Sequence, residues 1–161
     1  MAKLNRKLQH SEDFYIKTLL NKVLLREIMT TPVISVHVEA PFHEVADKIT
    51  KNKIRHLPVV DENNKLVGLI TERYLYKIQS PRRLEDGTWY YDQEALDSFI
   101  LRNVMISNPL SLRPDNTVGE AILKMVQSRE WSISITQKDG TLCGIVTYTD
   151  LLELAAQILM E

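Results

Sequence analysis

The chain has 161 residues and a mass of 18.6 kDa, enough for one ordinary domain or for two small repeats that share a core, which excludes a long multidomain enzyme. Hydrophobic residues (44%) and charged residues (25%) stand at the averages of globular chains, which argues against a disordered or fibrous protein. The net charge of −1 gives no global field for nucleic acid or for an anionic membrane, so any anion site must be local.

The first 27 residues predict a helical extension. Ser11 to Asp13 can cap a helix, and apolar residues follow at helical spacing over 16–24, so we expect an extra helix over 11–27. The polar residues at 10–13 stand where a signal peptide would need its apolar core, so export is not expected.

Two further features concern location. The most apolar window, 151–160, is short and contains Glu153 and Gln157, so no membrane span is expected. Cys143 is the single cysteine and cannot form an internal disulfide, which fits a reducing compartment. These features predict a cytoplasmic location.

Two successions of short elements follow the extension. The first comprises a β-branched strand (33–36), a helix (41–52), two apolar strands (57–60 and 65–71) joined by an Asp-Glu-Asn-Asn turn, and then a helix. The second comprises a strand (109–112), a helix (117–128), strands at 132–135 and 141–147, and a final helix over about 148–159. Both have the order β-α-β-β-α.

The two successions are copies of one another. Residues 28–75 lie over 104–151 without a gap at an offset of 76, and identical pairs include Met29 with Met105 and Gly68 with Gly144. Two copies favour a pseudo-twofold pair over an extended solenoid. The predicted fold is therefore mixed α/β (α+β), with two pseudo-twofold-related repeats. The predicted domains are an N-terminal extension (1–27), repeat 1 (28–78), a linker (79–103) and repeat 2 (104–161).

Four segments carry a family resemblance: IMTTPVISV and VMISNPLSL at the starts of the repeats, IRHLPVVD with LVGLIT in the first copy, and LCGIVTYTDLL in the second. The chain resembles the tandem cystathionine-β-synthase (CBS) domain pair, or Bateman module. The resemblance implies that an adenosine-containing ligand binds in a cleft between the repeats, and that the binding state is passed to an attached or partner protein.

The sharpest local chemistry lies where the last strand runs into the final helix. Thr147 can cap that helix, and Asp150, three residues on, can accept two hydrogen bonds from a cis-diol such as ribose. The alternative is that Thr147 and Asp150 form only a helix cap.

Resemblance to the γ subunits of AMP-activated kinases implies further site residues in the opposite repeat. Thr31, Pro32 and Val33 with Ile54 would surround the base, and Arg55, His56 and Arg73 would surround phosphate. Arginine can hold phosphate bidentately, whereas His56 would add charge only when protonated.

The pseudo-symmetric site departs from this pattern. Tyr74 stands where the carboxylate should be, and the surrounding positions would be Trp131, Ser132 and Thr149, without a cation. A phenol cannot replace a bidentate carboxylate, so one ligand per chain is expected.

Other chemistries find little support. Metal-ligand spacing is absent among the four histidines, His10, His37, His43 and His56, so no metal is expected. Cys143 in mid-strand is typical of an inert thiol, and no glycine-rich phosphate loop occurs. Catalysis is therefore not expected either.

The leading hypothesis is a stand-alone, non-enzymatic sensor of AMP, ADP, ATP or another adenosyl compound, with no required cofactor, that regulates an unknown protein. A ligand-free structural or dimerisation module is the alternative. A small enzyme is a third hypothesis, which the absence of a base-nucleophile pair disfavours.

A homodimer is also expected. Segment 151–160 is apolar around more of its circumference than one core can cover, and Val118, Ile122, Met125 and Val126 add to that surface. The competing explanation is that helix 11–27 covers the same stripe within one chain. The linker segment 79–96, with Trp89, Tyr90 and Tyr91, is either a packed flap or a partner contact.

Overall fold

The computed structural model describes residues 17–79, 81–90, 92, 94, 96 and 98–160. The described elements, in chain order, are α1 (Leu25–Ile28), β1 (Val36–His37), α2 (Phe42–Asn52), β2 (His56–Val60), β3 (Leu66–Thr71), α3 (Glu72–Gln79), β4 (Arg82–Arg83), β5 (Trp89–Tyr90), α4 (Leu101–Val104), β6 (Ile106–Ser107), β7 (Ser111–Leu112), α5 (Val118–Ser128), β8 (Ser132–Thr136), β9 (Leu142–Thr147) and α6 (Tyr148–Met160). The mixed α/β fold predicted from the repeats is confirmed, with one main sheet for each repeat and a small two-stranded sheet, β4-β5.

The chain divides into two compact units. Among the described residues, unit 1 contains residues 17–31, 110–138 and 143–160, and unit 2 contains those between 32 and 109 together with 139–142. This division differs from the sequence repeats because the segment that precedes each repeat folds with the other repeat. The predicted repeat boundaries therefore stay a description of the sequence copies.

Unit 2 is built on a four-stranded sheet with the order β1-β2-β3-β6. β1 is parallel to β2, as expected for strands joined through α2, while the β2–β3 and β3–β6 pairs are antiparallel. In α2, Val45 and Ile49 are buried against the sheet, which accounts for the helical spacing of its apolar residues.

Unit 1 contains the three-stranded sheet β7-β8-β9 and the helices α5 and α6. α5 begins with a capping box: the Thr117 hydroxyl accepts from the backbone N–H of Glu120, and the Glu120 carboxylate accepts from that of Thr117. All five residues of β8 are buried, as expected for a central strand.

The segment that precedes the first repeat completes the core of unit 1, which is built on the second repeat. The segment that precedes the second repeat completes the core of unit 2, which is built on the first repeat. Leu25 in α1 is fully buried in unit 1, and Leu101, 76 residues further along, is buried in unit 2. In unit 1 the backbone N–H of Leu25 donates to the carbonyl of Asn116 (2.9 Å), and that of Val118 donates to the carbonyl of Val23 (3.0 Å). Each core is thus closed by residues from a distant part of the chain.

Gly68 and Gly144 each lie beneath a methionine. A Cβ atom on Gly144 would be 2.5 Å from the Met29 sulfur, and one on Gly68 would overlap the Met105 sulfur more closely still. Such close approach is a common reason for glycine inside a strand. It gives a physical reason why both the glycines and the methionines are identical between the repeats.

Several predicted elements differ in detail. In the described part of the predicted helix 11–27, residues 17–20 are helical but turns follow at 21–23, because Leu24 is extended and bridges to Thr117. The strand predicted at 33–36 is observed instead as β1 at 36–37, which shares only Val36 with it, and the strand predicted at 109–112 is shortened to β7 at 111–112.

Within the predicted linker, β4 and β5 form an antiparallel hairpin. Gly87 adopts a φ of 91° in its turn, a conformation that favours glycine. Tyr91 lies outside the described residues, and the role of the linker stays a prediction.

Candidate functional site

The strand-to-helix junction of unit 1 holds Asp150 in a fixed position. The backbone N–H of Thr147 donates to Asp150 Oδ2 at 2.6 Å, and the Thr147 hydroxyl donates to the same oxygen at 2.8 Å. Thr147 was predicted to cap α6 with its own hydroxyl oxygen. Instead, that hydroxyl donates to the carboxylate of Asp150, three residues further along the chain. Both bonds end on Oδ2, and a carboxylate oxygen has two lone pairs, so Oδ1 keeps its own accepting capacity.

Asp150 borders a small cavity within unit 1. The cavity has a volume of about 210 Å³ and is lined also by Glu27, Ile28 and Glu153, with Leu154 and Gln157. It is smaller than the roughly 300–1,000 Å³ of common small-molecule pockets, so it can hold a fragment such as a sugar ring and not a whole nucleotide. Its carboxylates favour hydroxyl or cationic groups over phosphate.

Glu27 and Glu153 were not predicted as site residues. Glu153 could have been found from helical spacing, since residues 150, 153, 154 and 157 share one face of α6. Glu27 could not, because it reaches this cavity only through the folding of α1 into unit 1.

Thr31 is the third predicted site residue in unit 1. The preceding residue, Thr30, pairs with Ile145 through two backbone hydrogen bonds (2.9 and 3.3 Å). Because Ile145 stands two residues before Thr147 in β9, this pairing brings Thr31 to the strand that leads to Asp150. Thr31 itself is exposed.

The six other predicted site residues belong to unit 2: Pro32, Val33, Ile54, Arg55, His56 and Arg73. Arg55 and His56 lie at the start of β2, where His56 pairs with Thr71 of β3 and the backbone N–H of Glu72 donates to the Arg55 carbonyl at 3.0 Å. This register places Arg55 beside the first turn of α3, which also carries the exposed Arg73.

Arg55 has an acidic neighbour, Glu72, which the sequence pattern did not indicate. Its Nε lies 4.0 Å from Glu72 Oε2, with about two-thirds of the Arg55 side chain exposed. An exposed pair of this length contributes little to stability, so the guanidinium can exchange this partner for another anion at small cost.

His56, one of the predicted phosphate contacts, is partly buried at the start of β2. Burial, and secondarily the nearby Arg55 guanidinium, lowers the pKa of His56 below its ordinary 6.5. The imidazole is therefore neutral at neutral pH, and the positive charge of the predicted phosphate set then rests on Arg55 and Arg73.

The lowered pKa of His56 predicts a pH-dependent stability. As the pH falls through 6.5, the unfolded chain binds a proton at this histidine before the folded chain does, so protonation favours unfolding. Between about pH 7.5 and 5.5 the wild type should lose more free energy of unfolding than His56→Asn. Urea denaturation at both pH values measures this, and equal losses in the two proteins would contradict it.

The four residues of the pseudo-symmetric site also belong to different units, Tyr74 to unit 2 and the other three to unit 1. Tyr74 packs against the core of unit 2, and Ser132 is buried in unit 1. Trp131 is exposed and makes an edge-to-face contact with Tyr148, with ring centroids 5.6 Å apart. The exposed Thr149 lies in the first turn of α6.

Neither a metal-binding cluster nor a membrane-spanning helix is found among the described residues. In that part of the chain, no cluster of three or more His, Cys, Asp or Glu side chains has an arrangement that could hold a metal ion. None of the helices described is both long and apolar enough to cross a membrane.

The repeats also match a known family. A model described as the CBS domain matches the chain twice, at residues 25–80 and 101–157. The chain belongs to the CBS domain family. The resemblance drawn from the repeats is thereby confirmed, and CBS domain pairs are regulatory modules rather than catalytic ones.

Individual proteins support the same assignment. A CBS domain-containing protein of Dictyostelium discoideum is 28% identical over 141 residues, covering 86% of this chain and 94% of the relative. A crystallised CBS domain pair in complex with 5′-methylthioadenosine and S-adenosyl-L-methionine is 26% identical, with a TM-score of 0.68 over 84% of this chain and 97% of that one.

A third protein supports the fold alone. CBSX2, a CBS domain-containing protein of Arabidopsis thaliana crystallised with AMP, has a TM-score of 0.69 at 20% identity and covers 84% of this chain and 98% of its own.

Proposed function

We propose that this chain is a regulatory module that binds one adenosine-containing ligand, with the ribose on Asp150, and passes the bound state to a partner protein. One observation carries the proposal: Thr147 fixes the Asp150 carboxylate through Oδ2, leaving Oδ1 to accept from a ribose diol. A cytoplasmic location, predicted from the single cysteine, is part of the proposal.

The proposed ligand is AMP, ADP, ATP or another adenosyl compound such as S-adenosylmethionine. The complex of the 26%-identical relative with two adenosyl compounds supports this class. The acidic cavity beside Asp150 supports a sugar rather than a phosphate at that position.

A thermal-shift screen tests this function. AMP, ATP, S-adenosylmethionine and 5′-methylthioadenosine are added separately to the full chain, with GMP and GTP as the controls for AMP and ATP. A ligand that binds the folded state raises the melting temperature in a concentration-dependent way. Stabilisation by at least one adenosyl compound and not by GMP or GTP supports the proposal, whereas no stabilisation by any adenosyl compound contradicts it.

Phosphate contacts are proposed for Arg55 and Arg73 and have their own test. Arg55→Ala and Arg73→Ala should each weaken AMP binding by about tenfold or more and leave 5′-methylthioadenosine binding nearly unchanged, because only AMP has a phosphate. Arg102→Ala is the matched control, since Arg102 is an exposed arginine paired with Glu39. Calorimetry that finds equal losses for both ligands would show that these arginines do not contact phosphate.

A ligand-free dimerisation module remains the second candidate. It is favoured by α6, in which no residue is fully buried and Leu152, Leu159 and Met160 are exposed. Both candidates include a homodimer, with a mass near twice 18.6 kDa. Val118, which was predicted to belong to the dimer surface, is instead fully buried in the core of unit 1, whereas Met125, although mostly buried, lines the open groove between α5 and α6.

A further inference from the structure

Glu72 and Arg55 are held together at the junction between β3 and α3 in unit 2. The backbone N–H of Glu72 donates to the Arg55 carbonyl at 3.0 Å, and Glu72 Oε2 lies 4.0 Å from Arg55 Nε. The Tyr76 hydroxyl, one turn further along α3, donates to Glu72 Oε1 at 3.1 Å. One carboxylate oxygen is thus bound by α3 itself, and the other lies towards the Arg55 guanidinium.

The same two positions are in contact in the second repeat, with a different chemistry. At the offset of 76, Arg55 corresponds to Trp131 and Glu72 to Tyr148. The backbone N–H of Tyr148 donates to the Trp131 carbonyl at 3.1 Å, and the two rings make an edge-to-face contact. The fold therefore brings these positions together in each unit, and the first repeat places opposite charges at them.

Glu72 is the more sheltered member of the charged pair. Its side chain is 35% exposed, against 67% for Arg55. Because an exposed ion pair is weak, a phosphate can take the Arg55 guanidinium from Glu72 at small cost. The Glu72 carboxylate remains beside Arg55, since Tyr76 holds its other oxygen, and offsets part of the positive charge that Arg55 and Arg73 would offer to phosphate.

We propose that Glu72 sets how strongly this module prefers phosphorylated over unphosphorylated adenosyl compounds, by competing with the ligand phosphate for Arg55. The proposal rests on the proposed function, since it takes Arg55 as a phosphate contact. Glu72 acts through Arg55 and not through a contact of its own with the ligand, so it determines specificity without forming part of the binding surface.

Glu72→Gln keeps the shape of the side chain and an oxygen that can accept from Tyr76, but it removes the competing charge. We expect AMP to bind about two- to fivefold more tightly and 5′-methylthioadenosine to bind with unchanged affinity, because only AMP has a phosphate. Isothermal titration calorimetry measures both affinities.

Glu39→Gln is the matched control for Glu72→Gln. Glu39 is paired with Arg102 in the same unit, so this variant loses the same charge without changing the surroundings of Arg55. Its affinity for AMP should equal that of the wild type. The proposal fails if Glu72→Gln gains no affinity for AMP, if it gains equally for 5′-methylthioadenosine, or if Glu39→Gln gains as much.

A double-mutant cycle shows whether Glu72 acts through Arg55. The gain in AMP affinity from Glu72→Gln should disappear in an Arg55→Ala background, because the carboxylate then has no guanidinium to compete for. A gain of the same size in both backgrounds would mean that Glu72 repels the phosphate directly, which would contradict the proposed route through Arg55.

A titration with inorganic phosphate separates this proposal from the sensor function. The NMR signal of the Arg55 Nε–H group, identified by its loss in Arg55→Ala, should respond to phosphate at a lower concentration in Glu72→Gln than in the wild type. Equal midpoints would overturn the proposal. A lowered midpoint in a chain that binds no adenosyl compound would support Glu72 as the competitor of phosphate at Arg55 and contradict the sensor function alone.

Discussion

Replacing Asp150 by Asn is expected to weaken adenosyl-ligand binding by roughly 1.5–3 kcal/mol, about ten- to 150-fold. The substitution keeps the shape of the side chain but removes the negative charge that strengthens hydrogen bonds from a ribose diol. The amide oxygen of Asn can still accept from the backbone N–H of Thr147, so the start of α6 should persist. Isothermal titration calorimetry with an adenosyl compound from the thermal-shift screen measures the change.

Glu153→Gln is the matched control for Asp150→Asn. Glu153 lines the same cavity and also loses one negative charge, but it lacks the two bonds to Thr147 that fix Asp150. The affinity of Glu153→Gln for the adenosyl ligand should therefore change much less than the affinity of Asp150→Asn. Equal losses would mean that the general negative potential of the cavity matters rather than a specific carboxylate contact, and unchanged affinity in Asp150→Asn would remove Asp150 from the site.

Leu25→Ala is expected to lower the free energy of unfolding by about 2–5 kcal/mol. Leu25 is completely buried in unit 1, although it stands more than 80 residues away from α5 in the sequence. Truncation removes apolar contacts and leaves a cavity that the surrounding strands and helices fill only partly. Chemical denaturation of the wild type and the variant measures the loss.

Leu101→Ala should produce a loss of the same size, because Leu101 fills the equivalent position in unit 2. Leu123→Ala is the control: Leu123 is 61% exposed on α5, so its truncation should change stability by no more than about 0.5 kcal/mol. If Leu25→Ala cost no more than Leu123→Ala, the first segment would not belong to the core of unit 1.

The order of the elements could be predicted from the sequence because it depends on local patterns. Apolar spacing located α2 and α5, and β-branched runs between turn residues located β2, β3, β8 and β9. The offset of 76 then supplied the duplication and the family resemblance. The packing of the segment before each repeat with the other repeat was not predictable in this way. Leu25 and Leu101 have no local pattern that distinguishes them from other apolar residues, and their core partners are distant in the sequence.

The candidate site was predictable to a similar extent. The sequence pattern placed Thr147 and Asp150 together at the start of the final helix, but the two hydrogen bonds between them were not predicted, because they depend on side-chain rotamers that a sequence does not specify. The Glu72 partner of Arg55 and the lowered pKa of His56 depend on the β2–β3 register and on burial. The roles of all nine predicted site residues in ligand binding stay proposals.

The number of adenosyl ligands bound per full chain distinguishes a sensor with one site on Asp150 from the alternatives. Isothermal titration calorimetry with AMP, ATP, S-adenosylmethionine and 5′-methylthioadenosine should find one saturable site per chain for at least one of these compounds. One site follows from the single carboxylate at Asp150, since Tyr74 occupies the equivalent position of the first repeat. Two equivalent sites per chain, or no binding of any adenosyl compound, would contradict a single adenosyl site on Asp150.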